Sequence, residues 1–315
     1  MRAYLLYIFK RILGMIPVLL IVSIAVFFML RLSSTSEVSV IIGERQATEE
    51  LQAQIIEEYG LDQPKLLQYI NWLKGVLTGD FGTSYDSRQN INTLIASRIP
   101  VTLGLVFFSS LIGILLGVIL GVISALHRNK PLDTGISVIL LFFCSVPSFL
   151  VSIVALIIVV NFVPGYAFVG TYSNVQEYFQ RLILPSAIMA ASQLALIGRV
   201  TRSSMTAQLQ SAYIVTARAK GLSKNQITYK HAFHNAVIPV LTVAGMSFAN
   251  TIGGTVLIEQ IFSLPGIGGL LISSVLSGDY PVVQILVMFM LVIYLFMSLI
   301  VDLLYVAVDP RVRLQ

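Results

Sequence analysis

Six long stretches of apolar residues without charged side chains constrain this chain more than any other feature. They cover 12–30, 101–126, 135–163, 182–198, 236–258 and 282–301. A helix of about 20 residues crosses the hydrocarbon core of a bilayer, and backbone facing lipid must be hydrogen-bonded within its own segment. We therefore expect an all-α integral membrane protein with six transmembrane helices. Only 11% of the residues are charged, against about 25% in soluble domains.

The basic residues indicate an orientation. If residue 1 lies in the cytoplasm, thirteen of the 20 lysines and arginines fall in cytoplasmic segments and seven in external ones. This bias satisfies the positive-inside rule, so we expect both termini in the cytoplasm. The formal net charge of +5 is then explained by membrane orientation, and we expect no nucleic-acid partner.

The lengths of the loops divide the chain into three regions. Residues 1–30 form an N-terminal segment and the first span, 31–99 an extracytoplasmic insertion, and 100–315 a five-span core. The insertion should be helical, because Leu51, Ile55 and Tyr59 recur at helical spacing and a second such pattern follows Pro64.

The core contains a long cytoplasmic loop, 199–235, that is polar and basic. A short helix is predicted over Tyr213–Lys220, with Gly221 as its C-terminal cap. Ser223 and Gln226 have the spacing of a capping box, which predicts a second short helix. Two capped helices favour a docking surface for a partner protein, and the alternative is a helix lying on lipid.

Three spans carry features that predict packing or bending. The second span has small residues at every fourth position, which allow close approach of another helix: Ser109, Gly113, Gly117, Gly121 and Ala125. Pro147 should kink the third span, as either a gating hinge or a static bend. The fourth span contains Pro185, Ser192 and Gln193, so we expect it among other helices, as a candidate wall of a pathway.

The fifth span has the strongest polar face. Its polar and small residues lie within an arc of about 140° at 100° per residue: Ser247, Asn250, Thr251, Gly254 and Thr255. Such a face lines either a packed helix interface or a water-filled route, and the sequence leaves both open.

The motifs of familiar enzymes and metal sites do not occur in the sequence. It contains no GxxxxGK[ST] phosphate loop and no HExxH zinc motif. Cys144 is the single cysteine, and His231 and His234 lie in a basic loop without a nearby acid. We therefore expect no catalytic residues, no metal site and no cofactor bound by this chain.

Several longer motifs occur in order along nearly the whole chain. The cytoplasmic loop reads Tyr213-Ile-Val-Thr-Ala-Arg-Ala-Lys-Gly221-Leu-Ser223, then His231-Ala-Phe-His-Asn235-Ala-Val-Ile-Pro239. The other motifs are Leu61–Pro64, Gly79–Ser84, Gly253–Phe262, Pro265–Gly268, Asp279–Gln284 and Asp309–Arg311. Together they resemble the permease subunits of binding-protein-dependent ABC importers of the dipeptide, oligopeptide and nickel class. The loop is similar to that class's EAA loop, although Val215 stands where the broader pattern has Glu.

The resemblance implies a type I ABC importer permease fold in a bacterial or archaeal cytoplasmic membrane. It also implies a second homologous permease as heterodimer partner, two ABC ATPase subunits that hydrolyse ATP with Mg²⁺, and an extracytoplasmic solute-binding protein. The implied ATPase-coupling residues are Tyr213, Thr216, Ala217, Arg218, Lys220, Gly221 and Ser223. The expected pathway residues are Gln193, Ser247, Asn250, Thr251, Thr255 and Glu259.

The expected cargo is a dipeptide or oligopeptide. Permeases for glutathione and for nickel chelates share these motifs and remain alternatives. A self-sufficient channel or secondary transporter would call for inverted repeats or charged pairs deep in the spans, and neither is evident in the sequence. A non-transporting membrane scaffold is a further alternative, and it would not need a polar face open to water.

Overall fold

The computed structural model describes residues 2–32, 37–42, 48–163 and 172–308. Within these ranges the regular secondary structure is helical, apart from an isolated bridge between Thr83 and Asn90. A π-helical segment, Gln226–Phe233, leads directly into α10. The α-helices are α1 (Arg2–Arg31), α2 (Glu37–Ile42), α3 (Glu49–Glu58), α4 (Lys65–Thr78), α5 (Ile91–Leu126), α6 (Pro131–Ser145), α7 (Ser148–Phe162), α8 (Val175–Leu209), α9 (Ala212–Ala219), α10 (His234–Ile261), α11 (Ile267–Ser277) and α12 (Tyr280–Val308).

The expected membrane-spanning architecture is confirmed. Among the described helices, α1, α5, α8, α12 and the segment Gln226–Ile261 are long and apolar enough to cross a membrane, and the number is six when the bent α6–α7 pair is counted as one span. Several of these helices extend beyond the predicted apolar stretches. Helix α8, for example, begins at Val175, where the Asn174 side chain accepts a hydrogen bond from the Glu177 backbone N–H at 2.9 Å.

The third span is not one continuous helix. Helices α6 and α7 meet at an angle of 100°, and the linking residues Val146 and Pro147 have ψ angles of 125° and 133°. Proline lacks a backbone N–H and disfavours helical geometry in the residue before it. The bend predicted at Pro147 is therefore present, and it separates two helices.

The chain forms two compact units, the first made of residues 1–101 and 265–295. Its core includes Ile91, Ile95, Ile267 and Leu286. The Asp279 carboxylate accepts hydrogen bonds from Ser84 Oγ at 2.5 Å and from the Tyr85 backbone N–H at 3.0 Å. Burial raises the pKa of Tyr85 above its usual value, and the nearby carboxylate of Glu37 acts in the same direction.

The second unit comprises residues 102–264 and 296–315, and a close contact between α5 and α8 runs through it. A Cβ atom added at Gly113, Gly117 or Gly121 would come within 2.9, 3.0 and 2.5 Å of the Cβ atoms of Gln193, Ile197 and Thr201, respectively. Cβ atoms in proteins essentially never lie within 3.0 Å of such a neighbour, so a side chain at Gly113 or Gly121 would force the two helices to shift. The predicted small-residue ridge of the second span is thus confirmed as a helix-packing surface.

A buried ion pair also joins helices in the second unit. Asp133, at the start of α6, accepts hydrogen bonds from Arg202 Nε at 2.6 Å and Arg202 Nη2 at 2.8 Å. The same carboxylate accepts from Ser124 Oγ at 2.5 Å and from the Asn129 backbone N–H at 3.0 Å. A buried charge needs such partners, and these connect the end of α5, the following turn, α6 and α8.

Alanine substitution should have opposite effects on the free energy of unfolding at a glycine of the ridge and at a glycine outside it. Gly121→Ala should destabilise the protein by about 1–3 kcal/mol, because the added methyl overpacks the contact with Thr201. Gly135→Ala, where a Cβ would meet nothing within 4 Å, should stabilise it by about 0.5–1 kcal/mol. Thermal unfolding of both variants in one detergent measures the difference, and equal melting temperatures would contradict the packing interpretation.

Candidate translocation cavity and coupling helix

A polar cavity of about 250 Å³ lies between α7, α8 and α10 in the second unit. We call it the polar cavity. It is lined by Ser148, Met189, Ser192, Gln193, Leu196, Ser247, Asn250, Thr251 and Gly254. Its polar groups are all neutral hydroxyls and amides, and they lie in segments with the length and hydropathy of membrane spans.

Gln193 and Ser247 carry buried polar groups in the lining of this cavity. Gln193 is 6% exposed and Ser247 is 8% exposed. Among the described residues, neither Nε2 nor Oε1 of Gln193 has a hydrogen-bond partner, and Ser247 Oγ also lacks one. A buried polar group without a partner costs about 1–3 kcal/mol. A water or polar solute held next to these groups would remove this cost.

The structure brings together four of the six expected pathway residues. Gln193, Ser247, Asn250 and Thr251 line the polar cavity, and the Thr251 hydroxyl donates to the Ser247 carbonyl at 2.7 Å. Asn250 is exposed and available to a solute. The polar face of α10 therefore lines a cavity over this part of its length.

Thr255 and Glu259 lie outside the lining of the polar cavity. Both are fully buried. The Thr255 hydroxyl donates to the Ile252 carbonyl at 2.8 Å, and the Glu259 carboxylate accepts from Thr102 Oγ1 at 2.6 Å. The Thr255 side chain is therefore bonded within its own helix and that of Glu259 to α5, and their assignment to the pathway stays a prediction.

Sequence reasoning did not select Ser148 and Ser192 as site residues, although both line the polar cavity. Ser148 follows the bend at Pro147, and the sequence did not indicate which helix face the bend would present. Ser192 precedes Gln193 in a helix expected to line a pathway. Its position next to Gln193 could therefore have marked Ser192 as a lining residue.

Helix α9 carries Tyr213, Thr216, Ala217 and Arg218 of the expected coupling residues, and the other three follow its end. Two of its side chains anchor it. Ile214 is fully buried and Ala217 is 8% exposed. They pack in a hydrophobic cluster formed with Val122, Ala125, Met205, Ile227, Ala232 and Ala236. Ile214 and Ala217 therefore hold α9 against the rest of this chain.

The opposite face of α9 is exposed. Val215, Thr216, Arg218 and Lys220 all lie on the surface. Tyr213 is 39% exposed, but its hydroxyl donates to Gln208 Oε1 at 2.8 Å and accepts from Asn235 Nδ2 at 3.1 Å. Tyr213 thus links α9 to the end of α8 and the start of α10.

Both caps in this loop form as predicted. Gly221 has φ = 77°, a left-handed conformation that favours glycine, and Leu222 N–H donates to the Ala217 carbonyl at 3.3 Å. Ser223 N–H donates to Gln226 Oε1 at 3.0 Å, and Gln226 N–H donates to Ser223 Oγ at 3.3 Å. This reciprocal pair is a capping box.

The second helix of the loop is not the short, separate helix that the sequence suggested. It continues through the π-helical segment into α10, and Gln226–Ile261 is one candidate span. No residue between Gln226 and Asn235 is a proline or glycine that would end a helix. Helix α9 is therefore the one short helix in this loop.

No metal-binding cluster is found in the part of the chain that the structure describes. Those residues contain no group of three or more His, Cys, Asp or Glu side chains placed to hold a metal ion. His231 is partly buried and His234 is exposed.

Comparison with protein families gives matches over nearly the whole chain. Residues 113–314 match the model of the binding-protein-dependent transport system inner membrane component. Residues 4–106 match the model of the N-terminal region of such membrane components.

Individual relatives also align over nearly their full length. The oligopeptide transport system permease protein AppB of Bacillus subtilis is 34% identical, covering 98% of this chain and 99% of the relative. The glutathione transport system permease protein GsiC of Salmonella choleraesuis is 36% identical, covering 98% of each. A Brucella abortus protein whose name places it in a peptide transport system is 39% identical over 97% of this chain and 98% of its own length.

A solved structure shares the fold. The crystal structure of an amino acid ABC transporter with histidines aligns with a TM-score of 0.53 and 16% identity. The alignment covers 68% of this chain and 94% of that chain. At this identity the likeness concerns the fold alone.

The cavity geometry predicts which positions are open to water. In a Cys144→Ser background, Asn250→Cys and Gly254→Cys, at exposed positions that line the polar cavity, should react with a water-soluble maleimide in membranes. Thr255→Cys, at a fully buried position on the same helix, should react at least about tenfold more slowly, because reaction there requires local opening. Labelling rates followed by mass shift provide the measurement, and equal rates at all three positions would contradict a water-filled cavity.

Proposed function

The chain belongs to the family of binding-protein-dependent transport system inner membrane components, and from this premise we propose that it translocates peptides as the permease subunit of an ATP-driven importer. The observation that carries the proposal is the polar cavity, where the buried amide of Gln193 and hydroxyl of Ser247 have no partner among the described residues. Neutral donors and acceptors suit the amide groups that all peptides share.

The lining also bears on the alternative cargoes. The polar cavity contains no carboxylate, imidazole or thiol, and these are common protein ligands for transition metals. Glutathione is itself a peptide, and one relative is named as its permease. The lining therefore favours peptides, with glutathione as the second candidate.

The partners follow from the family and from the surface of α9. We infer a second homologous permease in a heterodimer, two ABC ATPase subunits and an extracytoplasmic binding protein that delivers the solute. ATP and Mg²⁺ would be used by the ATPases, and this chain would bind no cofactor. The positive-inside bias supports cytoplasmic termini and a cytoplasmic α9 in a bacterial or archaeal cytoplasmic membrane.

The proposed coupling mechanism begins at α9. Its exposed face, with Arg218 and Lys220, would sit in a cleft of an ATPase, while Ile214 and Ala217 hold it to the permease. Closure of the ATPase pair would displace α9 together with the hydrophobic cluster in which Ile214 and Ala217 pack. That cluster includes residues of α5, α8 and the π-helical segment, so the displacement would reach the helices that line the polar cavity.

The decisive experiment is reconstitution. The chain would be co-expressed with its genomic neighbours, the assembly purified into lipid, and ATP hydrolysis and solute uptake measured with and without the loaded binding protein. Separate arms would supply a dipeptide pool, glutathione, a nickel chelate or no solute. Stimulation by peptide is the expected result. Solute movement by the chain without any ATPase would overturn the proposal and favour a channel or secondary transporter.

Gln193→Leu should lower peptide uptake about tenfold, because it removes about two hydrogen bonds worth roughly 0.5–1.5 kcal/mol each. Subunit assembly should be unchanged. Thr255→Val alters a polar residue of α10 outside the lining and serves as the control, with uptake near wild type. Equal uptake by both variants at subsaturating peptide would remove Gln193 from the pathway.

Reversing the charges at Arg218 and Lys220, in Arg218→Glu/Lys220→Glu, should reduce ATPase co-purification and abolish transport, because charge complementarity across the proposed interface is lost when both cations become anions. The control, Arg128→Glu/Lys130→Glu, makes the same change in charge at exposed positions expected on the same membrane side. Co-purification yield and uptake are the measurements. Unchanged values for the α9 variant would exclude its role in coupling.

A further inference from the structure

Two adjoining cavities in the first unit are not used by the proposed transport pathway. The apolar one has a volume of about 530 Å³ and lies between α1, α4 and α12. Its lining includes Ile16, Leu20, Leu73, Phe289 and Val292, and we call it the apolar slot. The polar one has a volume of about 350 Å³, and we call it the head pocket. Trp72 lines both cavities.

The head pocket contains buried donors without partners. Gln284 is 2% exposed, and its Nε2 has no hydrogen-bond partner among the described residues. The same holds for the indole Nε1–H of Trp72. The Arg31 guanidinium also lines the pocket, at 3.4 Å from Glu37. The Gln284 and Trp72 donors would suit the oxygens of a phosphate or an ester, whereas Arg31 already bonds to Glu37, Gln68 Oε1 and the Phe27 carbonyl.

The two cavities follow each other in depth along the helices. Arg31 ends the first candidate span, and the slot residues Leu20 and Ile16 lie about 16 and 22 Å before it at 1.5 Å per residue. On α12, Gln284 of the head pocket is followed at once by slot residues that continue to Val292. Half of a hydrocarbon core of about 30 Å is about 15 Å. The head pocket therefore lies near the end of the first span, and the slot extends from there to about the middle of the hydrocarbon core, and past it along α1.

We propose that these cavities form one binding site for a glycerophospholipid with an amine-bearing head group. An acyl chain occupies the apolar slot, and the phosphate and ester oxygens accept hydrogen bonds from Gln284 and Trp72 in the head pocket. The rim of that pocket carries the exposed carboxylates of Glu57 and Glu58. These attract a head-group ammonium and disfavour a net anionic lipid.

Continuity with the lipid-facing surface identifies the occupant. The first span is mostly exposed in this chain, and its surface enters the slot at Ile16 and Leu20. Helix α4, which forms another wall, also exposes Leu66 and Ile70. An apolar surface next to a transmembrane helix contacts acyl chains unless protein covers it. The rival occupant is a helix of the second permease, and the experiment includes that outcome.

Trp72 provides the probe, because it is the single tryptophan of the chain. The purified chain would be placed in nanodiscs of phosphatidylcholine containing increasing fractions of acyl-brominated phosphatidylethanolamine or phosphatidylglycerol. Quenching of Trp72 fluorescence should saturate at low mole fraction. The half-maximal fraction should be about threefold lower for phosphatidylethanolamine, the size of effect that surface charge pairs produce.

Three variants locate the site within the cavities. Leu20→Phe/Val292→Phe fills the slot and should raise the half-maximal fraction about tenfold, whereas Val18→Phe/Ile21→Phe, on the exposed surface outside the slot, should not. Gln284→Met should raise the half-maximal fraction for both lipids. Glu57→Gln/Glu58→Gln changes only exposed residues and should abolish the preference between them. This last variant keeps the test valid if filling the slot impairs folding.

Several results would overturn the proposal. Absence of quenching in a fully brominated bilayer would show that lipid does not reach the slot. Quenching proportional to mole fraction and equal for both lipids would show ordinary contact with the bilayer. In the whole transporter, equal phospholipid retention by the two double-phenylalanine variants in native mass spectrometry would indicate that a partner helix fills the slot. None of these results bears on peptide import, because the test requires no transport.

Discussion

The close approach of α5 to α8 determines how the second unit is built. Lipid provides no hydrophobic force that drives helices together, so their association depends on close packing and on polar contacts. Three glycines at successive turns of α5 leave room for Gln193, Ile197 and Thr201 of α8. At the first of these contacts the missing side chain of Gly113 leaves room for the Cβ of Gln193, a residue that lines the polar cavity. The packing ridge thus sets the position of the residue that gives the cavity its polar character.

The Asp133–Arg202 ion pair joins the same helices further along the unit. Removing the Asp133 carboxylate from water is costly, and four hydrogen bonds to it offset part of that cost. The Arg202 side chain remains 33% exposed. Arg202 lies on α8 three residues before Met205, which packs beneath α9. The glycine ridge and the ion pair therefore fix α8 at two levels, one beside the polar cavity and one beside the hydrophobic cluster beneath α9.

Much of this architecture could be predicted from residue patterns. Apolar length indicated the spans, four-residue spacing indicated the ridge, and the Ser223–Gln226 pair indicated a helix start. These are local signals with a direct physical cause.

The positions of Thr255 and Glu259 could not be predicted in the same way, because a polar face does not reveal which neighbour it meets. Thr102, the partner of Glu259, is 157 residues away in the sequence. The continuity of the π-helical segment with α10 was also missed, because a capping box marks where a helix starts and not where it ends.

The uninterrupted helix from the π-helical segment into α10 connects the hydrophobic cluster beneath α9 with the polar cavity. Ile227 and Ala232 of the π-helical segment pack beneath α9, and Ser247 of the same uninterrupted helix lines the cavity. The fifteen residues from Ala232 to Ser247 correspond to about 22 Å of helix. Pro239 lies between them, and a proline in a helix removes one backbone hydrogen bond. In the proposed mechanism, a displacement of α9 can therefore move Ser247 as part of a rigid rod or be absorbed as bending at Pro239. Since coupling requires the first response, the helix on both sides of Pro239 must be held by its packing against α8, the helix that also carries Gln193.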